Sequence, residues 1–191
     1  MENHIKSYIE KSIKAKQTIL QDDKFLSNIE QIVNVIVSAY KSKHKVLLAG
    51  NGGSAADAQH IAAEFVSKFM YDRVALNAIA LTTNSSIITS VGNDYSHEYV
   101  FARQIQAYGT EGDIFIPIST SGNSKNIILA IEEAKKRNLI TIGLTGNTKS
   151  QMEAICDFII KIPSDITPII QEAHIMIGHI ICALVEKEFI D

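Results

Sequence analysis

Asp57, His60 and Glu64 are the residues of this sequence whose types and spacing could support acid–base chemistry. If the segment is helical, His60 and Glu64 project from one face, with Asp57 one turn earlier on the same side. An imidazole and a carboxylate can exchange protons near neutral pH, and their i, i+4 spacing also suits shared coordination of a metal. The alternative is an ordinary polar face, but this polar strip begins at a glycine-rich loop, which favours function.

That loop, Gly50–Ser54, follows the apolar run Val46–Ala49 and precedes the helix. Glycines expose backbone N–H groups, and the start of a helix adds partial positive charge, so the junction is typical of a phosphate site. Its spacing does not match G-x-G-x-x-G, and it lacks the lysine of a P-loop. Nucleotide binding is therefore disfavoured.

A second loop, Ser119–Ser124, carries four hydroxyl groups beside a glycine and another helix start. Hydroxyl and backbone N–H groups together can surround a phosphate without a lysine. A run of capping and turn residues is the alternative. Two such loops at successive strand ends favour an anion site, with Ser119, Thr120, Ser121 and Ser124 as candidates.

Polar residues also interrupt the apolar stretch near the C-terminus, namely Gln171, Glu172, His174 and His179. Buried polar side chains need partners, so they are candidates for a site rather than for packing alone. Gln171 and His179 are eight residues apart, about 12 Å along a helix. Both could bind one metal only at full reach, or from different subunits.

The elements that must position these residues alternate between strand and helix, which predicts a parallel sheet with helices on both faces. We expect an α/β three-layer sandwich with a five-stranded, flavodoxin-like sheet, in which the two loops are neighbours at the carboxyl edge. The predicted strands are Val46–Ala49, Asn77–Leu81, Asp113–Ile118, Leu139–Leu144 and Asp157–Ile162.

Two amphipathic helices are predicted within residues 2–43, with a break at Gln21–Asp23. We expect residues 1–43 to form a helical oligomerisation segment, with a partner subunit covering its apolar stripes, and residues 44–191 to form one structural unit. Gly92–Tyr95 is predicted to be a turn, Pro117 to mark a strand end, and the last helix to run from Pro168 to Glu188.

The amino-acid composition argues against several classes of partner and location. The net charge is −3 and no basic stripe is present, which argues against nucleic acid and anionic membrane as partners. The two cysteines suit reduced, buried thiols. A polar N-terminus and the lack of an apolar run near 20 residues predict a cytoplasmic protein.

Together these motifs resemble the phosphoheptose isomerases within the sugar isomerase (SIS) domain family. The serine loop marks the wider family, and the combination of His60, Glu64, Gln171 and His179 is more specific. The resemblance runs nearly end to end. It is carried by Gly50–Asp57, His60 with Glu64, Val91–Asp94, Ser119–Ser124, Leu144–Gly146, and Ile170–His174 with His179.

The resemblance implies a homotetramer with active sites at subunit interfaces. It implies conversion of sedoheptulose 7-phosphate to D-glycero-D-manno-heptose 7-phosphate through an enediol, for lipopolysaccharide or capsule synthesis. It also implies Glu64 and His179 as the catalytic pair and one Zn²⁺ per subunit. By resemblance, the phosphate is held by Ser119, Thr120, Ser121 and Ser124, the sugar by Asn51, Gly52, Gly53, Ser54, Asn93, Asp94 and Gln171, and the zinc by His60, Glu64, Gln171 and His179.

Ile169 departs from the family pattern, because an arginine is expected there in many relatives. The departure affects local sugar contacts or subunit packing rather than the reaction. A non-catalytic SIS protein, which binds a replication initiator or senses sugar phosphates, is the alternative. The presence of both Glu64 and His179, and the lack of a DNA-binding segment, favour the enzyme.

Overall fold

The computed structural model describes residues 1–190, and within them a five-stranded parallel sheet lies between two layers of helices. Two helices precede the sheet, as expected. The strands are β1 Val46–Gly50, β2 Ala78–Ala80, β3 Ile114–Ile118, β4 Ile140–Thr145 and β5 Phe158–Lys161. The helices are α1 Glu2–Leu20, α2 Asp23–Lys41, α3 Gly53–Val66, α4 Ser85–Asp94, α5 Val100–Tyr108, α6 Lys125–Lys136, α7 Met152–Ile155 and α8 Thr167–Glu186.

The strand order is β2-β1-β3-β4-β5, which confirms the flavodoxin-like topology. The winding direction reverses between β1 and β3, so the loops that follow these two strands lie side by side at the carboxyl edge. Every residue of β1 and β3 is buried, as expected for strands covered on both faces.

Each face of the sheet has its own apolar core, because side chains alternate along a strand. Val46 and Leu48 pack with α2, α3 and α8, whereas Leu47 and Ala49 pack with α5 and α6. The layer that contains α3 and α8 therefore also carries the predicted catalytic residues.

The N-terminal helices are separated at the predicted break, where the side chain of Asp22 accepts hydrogen bonds from the backbone N–H groups of Lys24 and Phe25, both at 3.0 Å. The helix α2 buries its stripe in the core of this same chain rather than leaving it for a partner, and Ile36 is fully buried. The helix α1 is covered only in part.

The predicted turn at Gly92–Tyr95 is wrong, because α4 continues through Gly92 to Asp94. The helix is capped by Asn84, whose side chain accepts a hydrogen bond from the N–H of Ile87 at 3.1 Å. A helical glycine costs about 0.5–1 kcal/mol, which capping and the packing of Val91 outweigh.

Pro117 lies one residue before the end of β3, as predicted, and pairs there with Ala49 of β1. The register between β3 and β4 includes Ile114, Phe115 and Ile118 but not Pro117. A proline lacks the N–H group of a ladder bond, so it is tolerated where that register is interrupted.

The last helix matches the prediction within a few residues, and Lys187–Phe189 forms a 3-10 turn after it. By length and composition, Thr167–Phe189 could cross a membrane, contrary to the expectation that no such run exists. Half of its most apolar window is buried in the fold, which is also a property of core helices.

Candidate active site

The loop between β1 and α3 turns tightly at residue 50, where only glycine fits. A Cβ atom there would lie 2.6 Å from the carbonyl carbon of Ser54. Gly52 adopts a positive φ of 56° and caps α3, which begins at Gly53. The turn thereby places the N-terminus of α3 at the carboxyl edge of the sheet.

The loop after β3 is held against the end of β4 by two backbone hydrogen bonds. The N–H of Ser119 donates to the carbonyl of Leu144, and the N–H of Gly146 donates to that of Thr120, both at 3.0 Å. The hydroxyl of Ser119 lies 3.1 Å from that of Ser124 and 3.4 Å from that of Ser121. The hydroxyl groups therefore form a connected cluster.

The two loops enclose a cleft of about 290 Å³, which confirms that they are neighbours. Its lining offers hydroxyl, amide and backbone N–H groups and contains no lysine or arginine. Ser121 is exposed just outside the lining. The lining residues are Asn51, Gly52, Gly53, Ser54, Ile118, Ser119, Thr120, Ser124, Thr167 and Gln171.

His60, Glu64 and His179 form a second cluster further along α3 and α8. One metal-binding atom from each lies within 4.8 Å of the other two. The Nε2 atom of His60 is 3.1 Å from Oε1 of Glu64, and the rings of His60 and His179 are 4.9 Å apart at 76°. Nε2 of His179 is buried, and no residue in the described part of the chain forms a hydrogen bond with it.

These three residues fit a zinc ion, because two imidazoles and a carboxylate are common zinc ligands and the unpartnered nitrogen of His179 is free to serve as one. Gln171 does not join them within the chain. It is two turns before His179, about 12 Å along the helix, and its side chain lies against Gly53 in the cleft.

The helices α3 and α8 run side by side in the same direction. Gly53 contacts Gln171 near the start of both helices, and Gly178 lies against Ile61 further along. The absence of a Cβ at Gly178 allows this close approach, since such an atom would lie 2.6 Å from Cδ1 of Ile61. The packing brings the rings of His60 and His179 together.

Asp57 lies on α3 between the cleft and the cluster. Burial raises the pKa of its carboxyl group to about 6, and the nearby His60 opposes this shift. Its Oδ2 atom is buried and accepts no hydrogen bond from the residues that the structure describes.

Asn93 and Asp94 do not line the cleft. Both are exposed at the end of α4, where the side-chain amide of Asn93 donates to Oδ1 of Asp94 at 2.8 Å. Their predicted role in sugar binding stays a prediction.

Sequence reasoning missed two residues that hold this site. The amides of Asn126 and Asn51 form two reciprocal hydrogen bonds of 2.9 Å, which tie the glycine loop to α6. The ring of Phe69 stacks on His179 at 5.3 Å and 29°. Neither carries a spacing signal, because Asn126 looks like an ordinary residue of a first helical turn and Phe69 lies outside any regular element.

Known proteins resemble this chain over nearly its whole length. The family model of the SIS domain matches residues 7–146. The phosphoheptose isomerase of Aneurinibacillus thermoaerophilus is 57% identical over 98% of this chain and 94% of its own length. Among solved structures, the phosphoheptose isomerase of Francisella tularensis has a TM-score of 0.93 at 37% identity, covering 97% of both chains. That of Neisseria gonorrhoeae has a TM-score of 0.91 at 36% identity, covering 97% of this chain and 98% of its own.

Proposed function

The chain belongs to the phosphoheptose isomerases of the SIS domain family, and from this premise we propose that it converts sedoheptulose 7-phosphate to D-glycero-D-manno-heptose 7-phosphate. The observation that carries the proposal is the cluster of His60, Glu64 and His179, which lies along the same two helices as a cleft rich in hydroxyl groups. A cleft for phosphate and a cluster for proton transfer are the two parts that such a reaction needs.

The phosphate group binds at the serine loop. Ser119, Thr120 and Ser124 line the cleft, Ser121 extends their cluster, and the N-terminus of α3 adds its partial positive charge. The sugar lies against Asn51, Gly52, Gly53, Ser54 and Gln171, which share this cleft.

The reaction moves a proton between two adjacent carbons through an enediol, so it needs a base for the carbon-bound proton and an acid for the oxygen. We assign the role of the base to the Glu64 carboxylate and the role of the acid that serves the oxygen to the His179 imidazole. Carboxylates and imidazoles are the side chains that most often act as general base and general acid.

Zinc, one ion per subunit, is a proposed cofactor that His60, Glu64 and His179 would hold. When bound, zinc supplies a positive charge that polarises a carbonyl and stabilises an enediolate. Gln171 would complete the predicted ligand set only from a neighbouring subunit, because in its own chain it faces the cleft.

We propose a homotetramer with active sites at subunit interfaces. Two features support it: the exposed apolar residues Ile5, Ile9 and Ile13 on α1, and the position of Asn93 and Asp94 outside the cleft of their own chain. We place the reaction in the cytoplasm, as a source of heptose for lipopolysaccharide or capsule.

The test is a coupled assay with sedoheptulose 7-phosphate on the wild type and on Glu64→Gln. We expect the variant to lose at least about 100-fold in kcat, because the amide cannot act as a base. Glu132→Gln, which makes the same change at an exposed position of α6, should keep the wild-type rate. Equal rates for Glu64→Gln and the wild type would refute the assignment, and a wild type that binds the sugar phosphate without turnover would favour the non-catalytic alternative.

A further inference from the structure

The segment 67–77, which joins α3 to β2, is fixed by one buried carboxylate. The N–H of Phe69 donates to Oε1 of Glu186 at 2.8 Å, and those of Met70 and Tyr71 donate to Oε2 at 2.7 and 3.1 Å. Glu186 is only 1% exposed. Burial opposes its ionisation, but the three backbone bonds lower its pKa below the usual value. The carboxylate is therefore charged and holds three consecutive N–H groups.

Arg73 connects the same segment to the main chain of Glu64. Its Nη2 atom donates to the carbonyl of Glu64 at 2.8 Å, and Nη1 donates to the carbonyls of Ser67 and Val74 at 2.9 Å. Its Nε atom lies 3.5 Å from Oε1 of Glu186, and both side chains are 1% exposed. We call Glu186, Arg73 and the main chain of residues 69–71 the Glu186 clamp.

The clamp determines where the ring of Phe69 lies. Glu186 follows His179 by seven residues on α8, so both side chains leave the same side of the helix. The clamped backbone places the Phe69 ring against the imidazole of His179, with centroids 5.3 Å apart and planes at 29°. The His60 ring meets the same imidazole nearly edge-on.

This packing matters because the rings of Phe69 and His60 are the contacts that bear on the orientation of the imidazole. The torsion that orients a histidine ring is broad, and Nε2 of His179 has no hydrogen-bond partner among residues 1–190. A flat ring against its face restricts that torsion more than an aliphatic chain of similar size would.

We infer that Phe69, held by the Glu186 clamp, is a positioning residue that keeps the His179 imidazole aimed at Glu64 and at a shared metal. The inference rests on the proposed function, which assigns His179 its role. Because Arg73 also binds the carbonyl of Glu64, one clamp locates both members of the catalytic pair.

The experiment compares Phe69→Leu with Phe69→Tyr. Leucine removes the flat face but keeps an apolar side chain, whereas tyrosine retains the ring. Isomerase kinetics give kcat and KM, and competition with a chromophoric chelator gives the zinc Kd of the metal-free protein. For Phe69→Leu we expect kcat to fall about tenfold and the zinc Kd to rise about tenfold, the range seen when a residue that supports a ligand is lost. KM should stay within about twofold of the wild-type value, and Phe69→Tyr should keep kcat and the zinc Kd near those of the wild type.

Tyr108→Leu is the matched control, because it also replaces an aromatic ring with leucine, at the end of α5, where the side chain is 38% exposed. It should leave kcat and the zinc Kd unchanged, and thermal unfolding should show that all variants are folded. The inference is overturned if Phe69→Leu stays within about twofold of the wild type in both quantities, or if it changes KM alone. A wild type without turnover would refute the proposed function instead, and the zinc titration would still decide the role of Phe69.

Discussion

At the scale of single residues, His174 shows how burial alone sets a protonation state. The side chain is fully buried on α8, and its Nε2 atom lies 3.2 Å from the carbonyl oxygen of Thr145. We assign the proton to Nε2, which then donates to that carbonyl. Burial lowers the pKa of His174 to about 4, so the imidazole is neutral in the folded protein near pH 7.

This shift predicts acid sensitivity. An unfolded histidine binds its proton below about pH 6.5, whereas folded His174 does so only near pH 4. Between these values the unfolded state binds more protons, so stability falls as the pH falls. At pH 5 the titration of this residue lowers the free energy of unfolding by about 2 kcal/mol.

Urea unfolding at pH 7.5 and pH 5 on the wild type and on His174→Gln measures this loss. The variant is less stable at pH 7.5. From pH 7.5 to pH 5, however, its free energy of unfolding should fall by about 2 kcal/mol less than that of the wild type. The exposed His4→Gln should follow the wild type at both pH values. An identical pH dependence for wild type and His174→Gln would contradict the prediction.

The sequence predicted the residues of the site that carry a spacing signal. His60 and Glu64 share a helical face, and His179 interrupts an apolar helix; the structure brings all three together. Phe69 and Glu186 could not be found this way, because their contact joins residues more than a hundred positions apart through backbone N–H groups. Tertiary contacts of this kind leave no periodic pattern.

At the scale of elements, the serine loop depends on Gly122. Its φ is +62°, and a Cβ atom there would lie 2.5 Å from Oγ of Ser150 and 2.6 Å from Oγ1 of Thr145. The loop thus packs directly on the end of β4 and on the segment before α7. Any side chain at this position must push the hydroxyl cluster away from those supports.

We expect Gly122→Ala to destabilise the protein by about 1–3 kcal/mol, because alanine is strained at positive φ and has no room. Displacement of the phosphate site should also lower kcat/KM at least about tenfold. Urea unfolding and the isomerase assay measure the two effects.

Gly92→Ala is the control for stability. Gly92 lies within α4 with no atom within 4 Å of a Cβ position, so alanine should stabilise the helix by about 0.5–1 kcal/mol. Equal stability changes in the two variants would show that crowding at Gly122 is unimportant.

The order of elements was predictable because each strand is a short apolar run that alternates with a helical segment, and α2 and α4 begin at the capping residues Asp22 and Asn84. The error at Gly92 has a physical reason. The sequence predicts a turn there, but the surrounding helix is capped by Asn84 and packs through Val91. Pro117 lies near the end of β3 as predicted, and the interrupted register with β4 removes the need for its N–H group.

At the scale of the whole molecule, α1 carries more apolar surface than this chain covers. Ile5, Ile9 and Ile13 are 57%, 51% and 48% exposed and lie four residues apart, beside the buried positions Ser12 and Ala15. Such a continuous apolar stripe marks an interface in most proteins.

We expect light scattering to report a tetramer of this 21.0 kDa chain and Ile9→Asp to shift it to smaller species. A charge at the centre of the stripe would have to be buried without a partner. Thr18→Asp, which adds the same charge on the face of α1 opposite Ile9, should leave the tetramer intact. A wild type that is monomeric and fully active would contradict the proposed assembly.

The side-by-side packing of α3 and α8 also has a consequence for substrate selection. Gly53 and His60 are seven residues apart, so the start of α3 and the histidine–glutamate cluster are separated by about 10 Å along the helix. Under the proposed function, a sugar that is anchored by its phosphate and reacts at its carbonyl must bridge this gap. We therefore expect the distance of two helical turns to select substrates by carbon-chain length and a triose phosphate to be too short to react.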